Sequence, residues 1–345
     1  MRPVRRTRLG RSLALPSFTV LYHCLKPLLF RMDAEKAHNL ALRGAGVLSA
    51  MPPIARLIRT TCARPASDPV TLMGLEFPHR IGLAAGLDKN GVAPWAWWAF
   101  GFGFVELGTV TPKPQDGNPK PRMFRLIEEA AVVNRMGFNN AGAPALADRL
   151  RRGRPPFPVI VSVGKNATTP LENAEADYQA AAAAVATVAD AISINISSPN
   201  TAGLRSLQTP ELAGRLVTVI REVTPAKPVL VKFAPELEGN DLSAVIDACL
   251  TAGAAGFIAT NTLSTAVRPE LPQGGLSGRP LRDMSPRRVE EIRRHLGEGP
   301  VLIGCGGIED ATTARRMRDA GADLVQIYTA LVYQGPLLAA RISRA

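Results

Sequence analysis

The sequence predicts an α/β fold, a closed (β/α)₈ barrel of the TIM type with a small N-terminal helical segment, on three observations. Short β-branched or apolar runs alternate with Ala-rich stretches from about residue 80 onward, the pattern of strands leading into helices. Eight such runs can be placed. The residues able to do chemistry fall at their C-terminal ends, where a barrel builds its site. A doubly wound open sheet is the alternative architecture. The 345 residues exceed the usual single domain, but barrels of about 250 residues fold as one unit. Residues 67–345 are therefore assigned to the barrel and residues 1–66 to an appendage. With 46% apolar and 20% charged residues, the composition excludes a disordered chain.

The appendage comes first. A basic start followed by Leu13–Ala14–Leu15–Pro16 is too short an apolar run for a signal peptide, and Pro16 interrupts it. A mature, non-secreted N-terminus, unstructured to about Pro16, is expected. Leu21, Tyr22, Leu25, Leu28 and Leu29 then recur at helical spacing, and Asp33 is placed to cap a second helix carrying Ala37, Leu40, Ala41, Ala45 and Leu48. Met51–Pro52–Pro53 and the Pro65–Pro69 region mark a linker over residues 51–68. Residues 1–66 hold 12 Lys/Arg against two acids, so most of the formal net charge of +12 belongs here. Such helices either pack on the domain with their basic side in water or lie on an anionic membrane surface.

In the barrel, a small hairpin over residues 70–77 precedes the first strand. Strands are expected at Ile81–Ala85, Phe104–Leu107, Val159–Val163, Ala191–Ile196, Val229–Phe233, Gly256–Thr260, Val301–Gly304 and Asp323–Ile327. Helices are expected at Ala93–Phe100, Ala143–Leu150, Asn173–Ala189, Glu211–Val223, Asp241–Ala252, Pro286–Leu296 and Ala311–Ala320.

Several classes fall away. The four cysteines form no C-x-x-C pair, which argues against zinc, an iron–sulfur cluster or a disulfide framework and fits a reducing cytosol. No run approaches the roughly 18–20 apolar residues of a membrane span. The Gly44–Gly46 G-x-G follows no strand and is no dinucleotide loop. Ser198 lies in no G-x-S-x-G elbow and no histidine sits at a strand end, so acyl transfer by a Ser-His-Asp triad is not expected.

What remains is a polar set at the strand ends. A Gly-rich turn after strand seven (Gly306, Gly307) with Tyr328 and Thr329 after strand eight suits a phosphate, although Gly306–Gly307 also serves a tight turn. Lys89 and Lys232 emerge from strands, where a buried ammonium needs an anionic or electron-rich partner; Asp88 is an alternative partner for Lys89. Asn134, Asn139, Asn195, Asn200 and Asn261 offer paired donors and acceptors for a planar ligand, or act as turn residues.

Four segments carry a family resemblance: residues 85–91 (AGLDKNG), 108–115 (GTVTPKPQ), 134–139 (NRMGFN) and 195–201 (NISSPNT), continued by 274–280 (GGLSGRP) and 325–329 (VQIYT). Together they resemble class 2, quinone-dependent dihydroorotate dehydrogenases over roughly residues 20–340. The resemblance implies FMN held by Ala85, Gly86, Thr109, Asn195, Lys232, Thr260, Gly278, Gly307, Tyr328 and Thr329. It implies dihydroorotate, the precursor of orotate in pyrimidine biosynthesis, on Lys89, Asn134, Arg135, Met136, Gly137, Phe138, Asn195, Asn200, Asn261 and Thr262, with Ser198 as general base. It further implies a membrane quinone reached beneath the N-terminal helices, with His38 and Arg125 lining the way. A peripheral enzyme on the cytoplasmic side of the cell membrane is then expected, with no nucleic acid and no iron–sulfur partner subunit. One position departs from the family pattern: Ser162 stands where the family often has Asn, which puts a direct flavin contact there in doubt. The rival readings are a colourless isomerase or aldolase barrel with a Schiff-base lysine, a basic nucleic-acid module, and a soluble class 1 enzyme.

Overall fold

The computed structural model describes residues 14–201 and 203–345. Eight parallel strands close a barrel: β1 (Ile81–Leu83), β2 (Phe104–Val110), β3 (Val159–Val163), β4 (Ala191–Asn195), β5 (Val229–Phe233), β6 (Gly256–Ala259), β7 (Val301–Cys305) and β8 (Leu324–Ile327). Every strand pairs with its neighbours in sequence, and β8 returns to β1. All eight expected strands are present, with ends shifted by up to three residues. Their residues are buried throughout, because a parallel sheet wrapped by helices has no solvent face.

Two excursions from the C-terminal rim were not expected. The loops after β2 and β6 contribute Met123–Leu126, Ala131–Asn134, Leu263–Ser264 and Gly275–Gly278, which pair into a four-stranded antiparallel sheet. This sheet stands as one wall of the barrel mouth.

The N-terminal segment forms three helices, α1 (Ala14–Arg31), α2 (Ala34–Ser49) and α3 (Pro52–Thr61). The expected unstructured stretch falls largely on residues 1–13, outside the described residues; from Ala14 the chain is helical. Asp33 caps α2 by accepting from Lys36 N–H (2.9 Å). The linker reading of residues 51–68 is corrected over α3: Pro52 and Pro53 occupy its first turn, where a missing N–H costs nothing and the fixed φ favours entry. The three helices are a hood without a core of its own. Ala45 of α2 belongs to the barrel's apolar core, and Arg59 of α3 donates to the carbonyl of Phe102 (3.2 Å) and stacks on Trp98. No described helix is long and apolar enough to cross a membrane.

Candidate functional site

The polar layer beneath the mouth starts with Glu106, fully buried in the middle of β2. Its Oε2 lies 2.8 Å from Lys232 Nζ and also accepts from Ala85 N–H (3.1 Å), while Oε1 accepts from Ser193 Oγ (2.7 Å). Burial alone would push Lys232 toward its neutral form; the facing Glu106 carboxylate outweighs this and raises its pKa. The partner demanded by Lys232 is thus supplied within the protein, and sequence reasoning missed it. A lone acid inside the otherwise apolar strand residues 104–107 was the available signal.

Lys89 is different. Asp88 is fully engaged, accepting from Val92 N–H, Ala93 N–H and Trp97 Nε1, so the alternative that it pairs with Lys89 is set aside. Lys89 Nζ donates only to Gly86 O (2.9 Å). Burial, reinforced by the nearby Arg122 charge, lowers its pKa to about 8. A buried ammonium without a carboxylate is costly, and this one faces a cleft of about 1000 Å³.

That cleft brings together Ala85, Gly86, Lys89, Thr109, Asn134, Met136, Phe138, Asn195, Ser198, Asn200, Lys232, Thr260, Asn261, Thr262, Gly278, Gly307, Tyr328 and Thr329. Three expected members, Arg135, Gly137 and Asn139, are not brought in. Arg135 points outward, donating to Pro121 O from Nε and Nη2 and stacking on Phe124, and Gly137 packs against Asn118. The reason is that the strand ends at Asn134 and the chain then turns, with Gly137 (φ +68°) and Phe138 (φ +53°) in the left-handed region, so that Asn134, Met136 and Phe138 line the cleft while Arg135 and Gly137 do not. Ser162 lies under the lining, its hydroxyl 2.9 Å from Thr109 Oγ1; Thr109 in turn accepts from Asn195 Nδ2 (2.7 Å). Asn261 Nδ2 donates to Ser197 Oγ (2.9 Å), and Asn200 Nδ2 to Asn134 Oδ1 (3.2 Å). Ser198 is 5% exposed and its Oγ accepts from Asn200 N–H (3.2 Å).

The cleft fits a large planar polar ligand on two observations. Both amide atoms of buried Gln326, a lining residue of β8, and Oδ1 of Asn200 have no partner, which is costly unless a bound group satisfies them. At the rim, Gly307 adopts φ +72°, and its N–H, with those of Tyr328 and Thr329, donates to no backbone carbonyl outside the regular elements. Such convergent free donors suit a phosphate. The tight-turn reading of Gly307 holds as well: a Cβ there would lie 2.3 Å from Arg282 Cα. The described residues contain no cluster able to hold a metal ion.

A second cavity, of about 1260 Å³, opens under the hood. Tyr22, Leu29, Phe30, Ala37, His38 and Ala41 line one side; Leu87, Trp97, Arg125, Tyr328 and Leu331 line the other. It is apolar apart from a few groups. His38 is half-buried, and burial, with the Lys89 charge, lowers its pKa to about 4, so it is neutral at physiological pH. Arg125 donates to Leu29 O (2.8 Å) and to Met32 O and stacks on Phe30, fastening the end of α1 to the antiparallel wall. Tyr328 lines both cavities. The outer side of the hood leaves Val20, Leu21, Leu25, Leu28, Leu40, Val47, Ile54 and Leu57 exposed.

Comparison with known proteins agrees with this geometry. The family model described as dihydroorotate dehydrogenase matches residues 69–345. Proteins named dihydroorotate dehydrogenase (quinone) are similar along nearly the whole chain. That of Chloroflexus aurantiacus strain J-10-fl is 46% identical, covering 93% of this chain and 94% of its own. That of Chromobacterium violaceum is 44% identical, covering 94% and 97%. Among solved structures, the DHODH of Eimeria tenella in complex with ferulenol superposes with a TM-score of 0.81 at 34% identity, over 90% of this chain and 89% of that one.

Proposed function

The chain belongs to the dihydroorotate dehydrogenase family, and from that premise we propose that the polar cleft holds FMN and dihydroorotate together while the apolar cavity admits the quinone. The protein is a quinone-dependent, flavin-dependent oxidoreductase that converts (S)-dihydroorotate to orotate in pyrimidine biosynthesis. The observation that carries the finer assignment is the pair of cavities, one polar and one apolar, sharing the wall at Tyr328.

FMN is assigned to Ala85, Gly86, Thr109, Asn195, Lys232, Thr260, Gly278, Gly307, Tyr328 and Thr329, with its phosphate toward the Gly307 and Tyr328–Thr329 turns. When bound, the flavin supplies the hydride acceptor and hands the electrons on to the quinone. The protein's own part is positioning and proton handling. Lys89 supplies the charge for the substrate carboxylate, and Asn134, Asn200 and Asn261 supply amide partners for the pyrimidine ring. Ser198 Oγ takes the proton from substrate carbon. A serine serves as base only where water is excluded and an onward carrier exists; Ser198 is buried, and the buried Thr201 hydroxyl, without a partner, is a candidate carrier. Lys232, held as an ammonium by Glu106, would stabilise negative charge on a flavin bound in the cleft.

His38 and Arg125 are assigned to the quinone carbonyls: neutral His38 offers one donor, and Arg125 a charged one. The exposed apolar residues of the hood, interspersed with Lys26, Arg31, Lys36, Arg43 and Arg56, support a peripheral seat on an anionic bilayer, on the cytoplasmic face of the cell membrane. Acid extraction of the pure protein followed by mass spectrometry tests the cofactor assignment. Near-stoichiometric FMN is expected; FAD, or no flavin and no uptake of added FMN, would overturn it.

A further inference from the structure

The substrate end of the cleft is built from two separate stretches, residues 134–138 and the loop bearing Ser198 and Asn200. Asn118 lies outside the cleft and joins them. Its Nδ2 donates to Arg135 O (3.0 Å) and to Asn200 O (3.0 Å), and its N–H donates to Met136 O (3.1 Å). Its Oδ1 fills the space beside Gly137, where a Cβ would lie 2.6 Å away.

Asn118 is itself held from the hood side. Arg122 Nη1 donates to Asn118 O (2.8 Å) and Asp116 O (2.6 Å). The remaining face of that guanidinium is taken by Glu35 in the first turn of α2, with Nε donating at 3.1 Å and Nη2 at 2.8 Å. Glu35 and Arg122 are 6% and 7% exposed. A continuous set of hydrogen bonds therefore runs from α2 through Arg122 and Asn118 to Asn200, whose side chain faces the cleft and whose N–H meets Ser198 Oγ.

We propose that Asn118 is a positioning residue for the pyrimidine site, and that the Glu35–Arg122 ion pair makes its geometry depend on the seating of α2. The hood then sets affinity for the pyrimidine as well as lining the way for the quinone. The physical reason is that a buried charge stripped of its partner does not stay put. An unpaired Arg122 seeks other acceptors and drags the residue 116–118 backbone with it. The Arg122 charge also bears on Lys89, so the loss of Glu35 leaves two neighbouring cations less well balanced.

The inference rests on the cleft being the dihydroorotate site, and orotate binding to the purified holoenzyme, followed by calorimetry, separates the two. Failure of the unmodified protein to bind orotate would overturn the assignment of the cleft itself. With binding present, Asn118→Ala and Glu35→Gln are each expected to weaken it about tenfold, the loss of one to two hydrogen bonds at a buried site. Combined, they should weaken it less than the product of the single effects, because both act through one contact. Asn118→Asp, which keeps the shape but loses both Nδ2 donors, should resemble Asn118→Ala; an affinity like that of the unmodified protein would mean that Asn118 only fills space. Unchanged orotate affinity in Glu35→Gln, or strictly multiplicative effects in the double variant, overturns the coupling. Should Asn118→Ala not fold, Glu35→Gln, which keeps the size but only one of the two acceptor oxygens and loses the charge, decides the matter alone.

Discussion

At the barrel mouth the buried charged groups have partners or face a cleft that can supply one, whereas the hood leaves large apolar side chains in the open. Glu106 and Lys232 are 0% and 4% exposed and bonded to each other; Leu28 and Leu57 are 61% and 60% exposed on the outside of α1 and α3. Of the large apolar residues that are exposed among the described residues, most lie between Val20 and Leu57. The difference follows from architecture. A closed parallel barrel buries its strands on both faces, so a polar residue kept there has to be satisfied or used. Three short helices laid over one edge have more apolar surface than the barrel can cover, and a contiguous apolar face marks a surface meant for another phase or partner. On the proposed assignment, chemistry that must exclude water belongs to the first region and delivery of an apolar acceptor to the second.

The comparison is broken most severely by a substitution in the mouth that leaves the hood untouched. Ser198→Ala is expected to retain its flavin while flavin reduction by dihydroorotate slows by about 10²-fold or more, the usual weight of a positioned proton acceptor. Unchanged stopped-flow reduction would leave Ser198 as a turn residue. The converse substitution fills the apolar cavity. Ala41→Phe should lower turnover with a long-chain quinone by roughly tenfold, since the added ring occupies the path, with dihydroorotate still reducing the flavin at its normal rate. An equal loss in both half-reactions would contradict the division of labour.

How much of this could be read in the sequence follows the same division. The eight barrel strands were legible because double-sided burial fills them mostly with β-branched and other apolar residues, even though Glu106, Ser162, Ser193, Lys232 and Gln326 interrupt five of them. The antiparallel wall was not, because strands of two to four residues such as Leu263–Ser264 carry no periodicity. Pro52–Pro53 read as punctuation when it opens α3, since proline both ends one helix and starts the next. In the site, contiguous motifs brought in Arg135 and Gly137, which the turn after Asn134 keeps out of the cleft. Those motifs contained Gln326 without giving it a role and did not reach Glu106 or Asn118, whose roles come from neighbours distant in sequence. The stripe Leu21, Tyr22, Leu25, Leu28 and Leu29 was legible as helical but not its division: Tyr22 and Leu29 face the cavity, the others do not.

A subtler effect is expected from pH. Lys89 binds a carboxylate only as the ammonium, and its pKa in the free protein is lowered to about 8. The KM for dihydroorotate should therefore be flat below about pH 8 and rise by about tenfold per unit well above it, as for any site that must be protonated to bind. A KM independent of pH from 7 to 9.5 would show that Lys89 does not carry the carboxylate. The smallest effect on the folded protein should come from the hood's outer face. Leu25→Asp with Leu28→Asp is expected to change stability by under about 1 kcal/mol, since these side chains are exposed, yet to abolish sedimentation with anionic vesicles. Unaltered vesicle binding would place the membrane contact elsewhere.

The most direct test is an anaerobic sequence of two mixings watched at the flavin absorbance. Dihydroorotate added to the pure protein should bleach the yellow colour, and a long-chain quinone should restore it, while fumarate and NAD⁺ should not. A protein that is not bleached by dihydroorotate, or whose colour returns with fumarate and not with the quinone, would contradict a donor site in the barrel mouth coupled to an acceptor cavity beneath the hood.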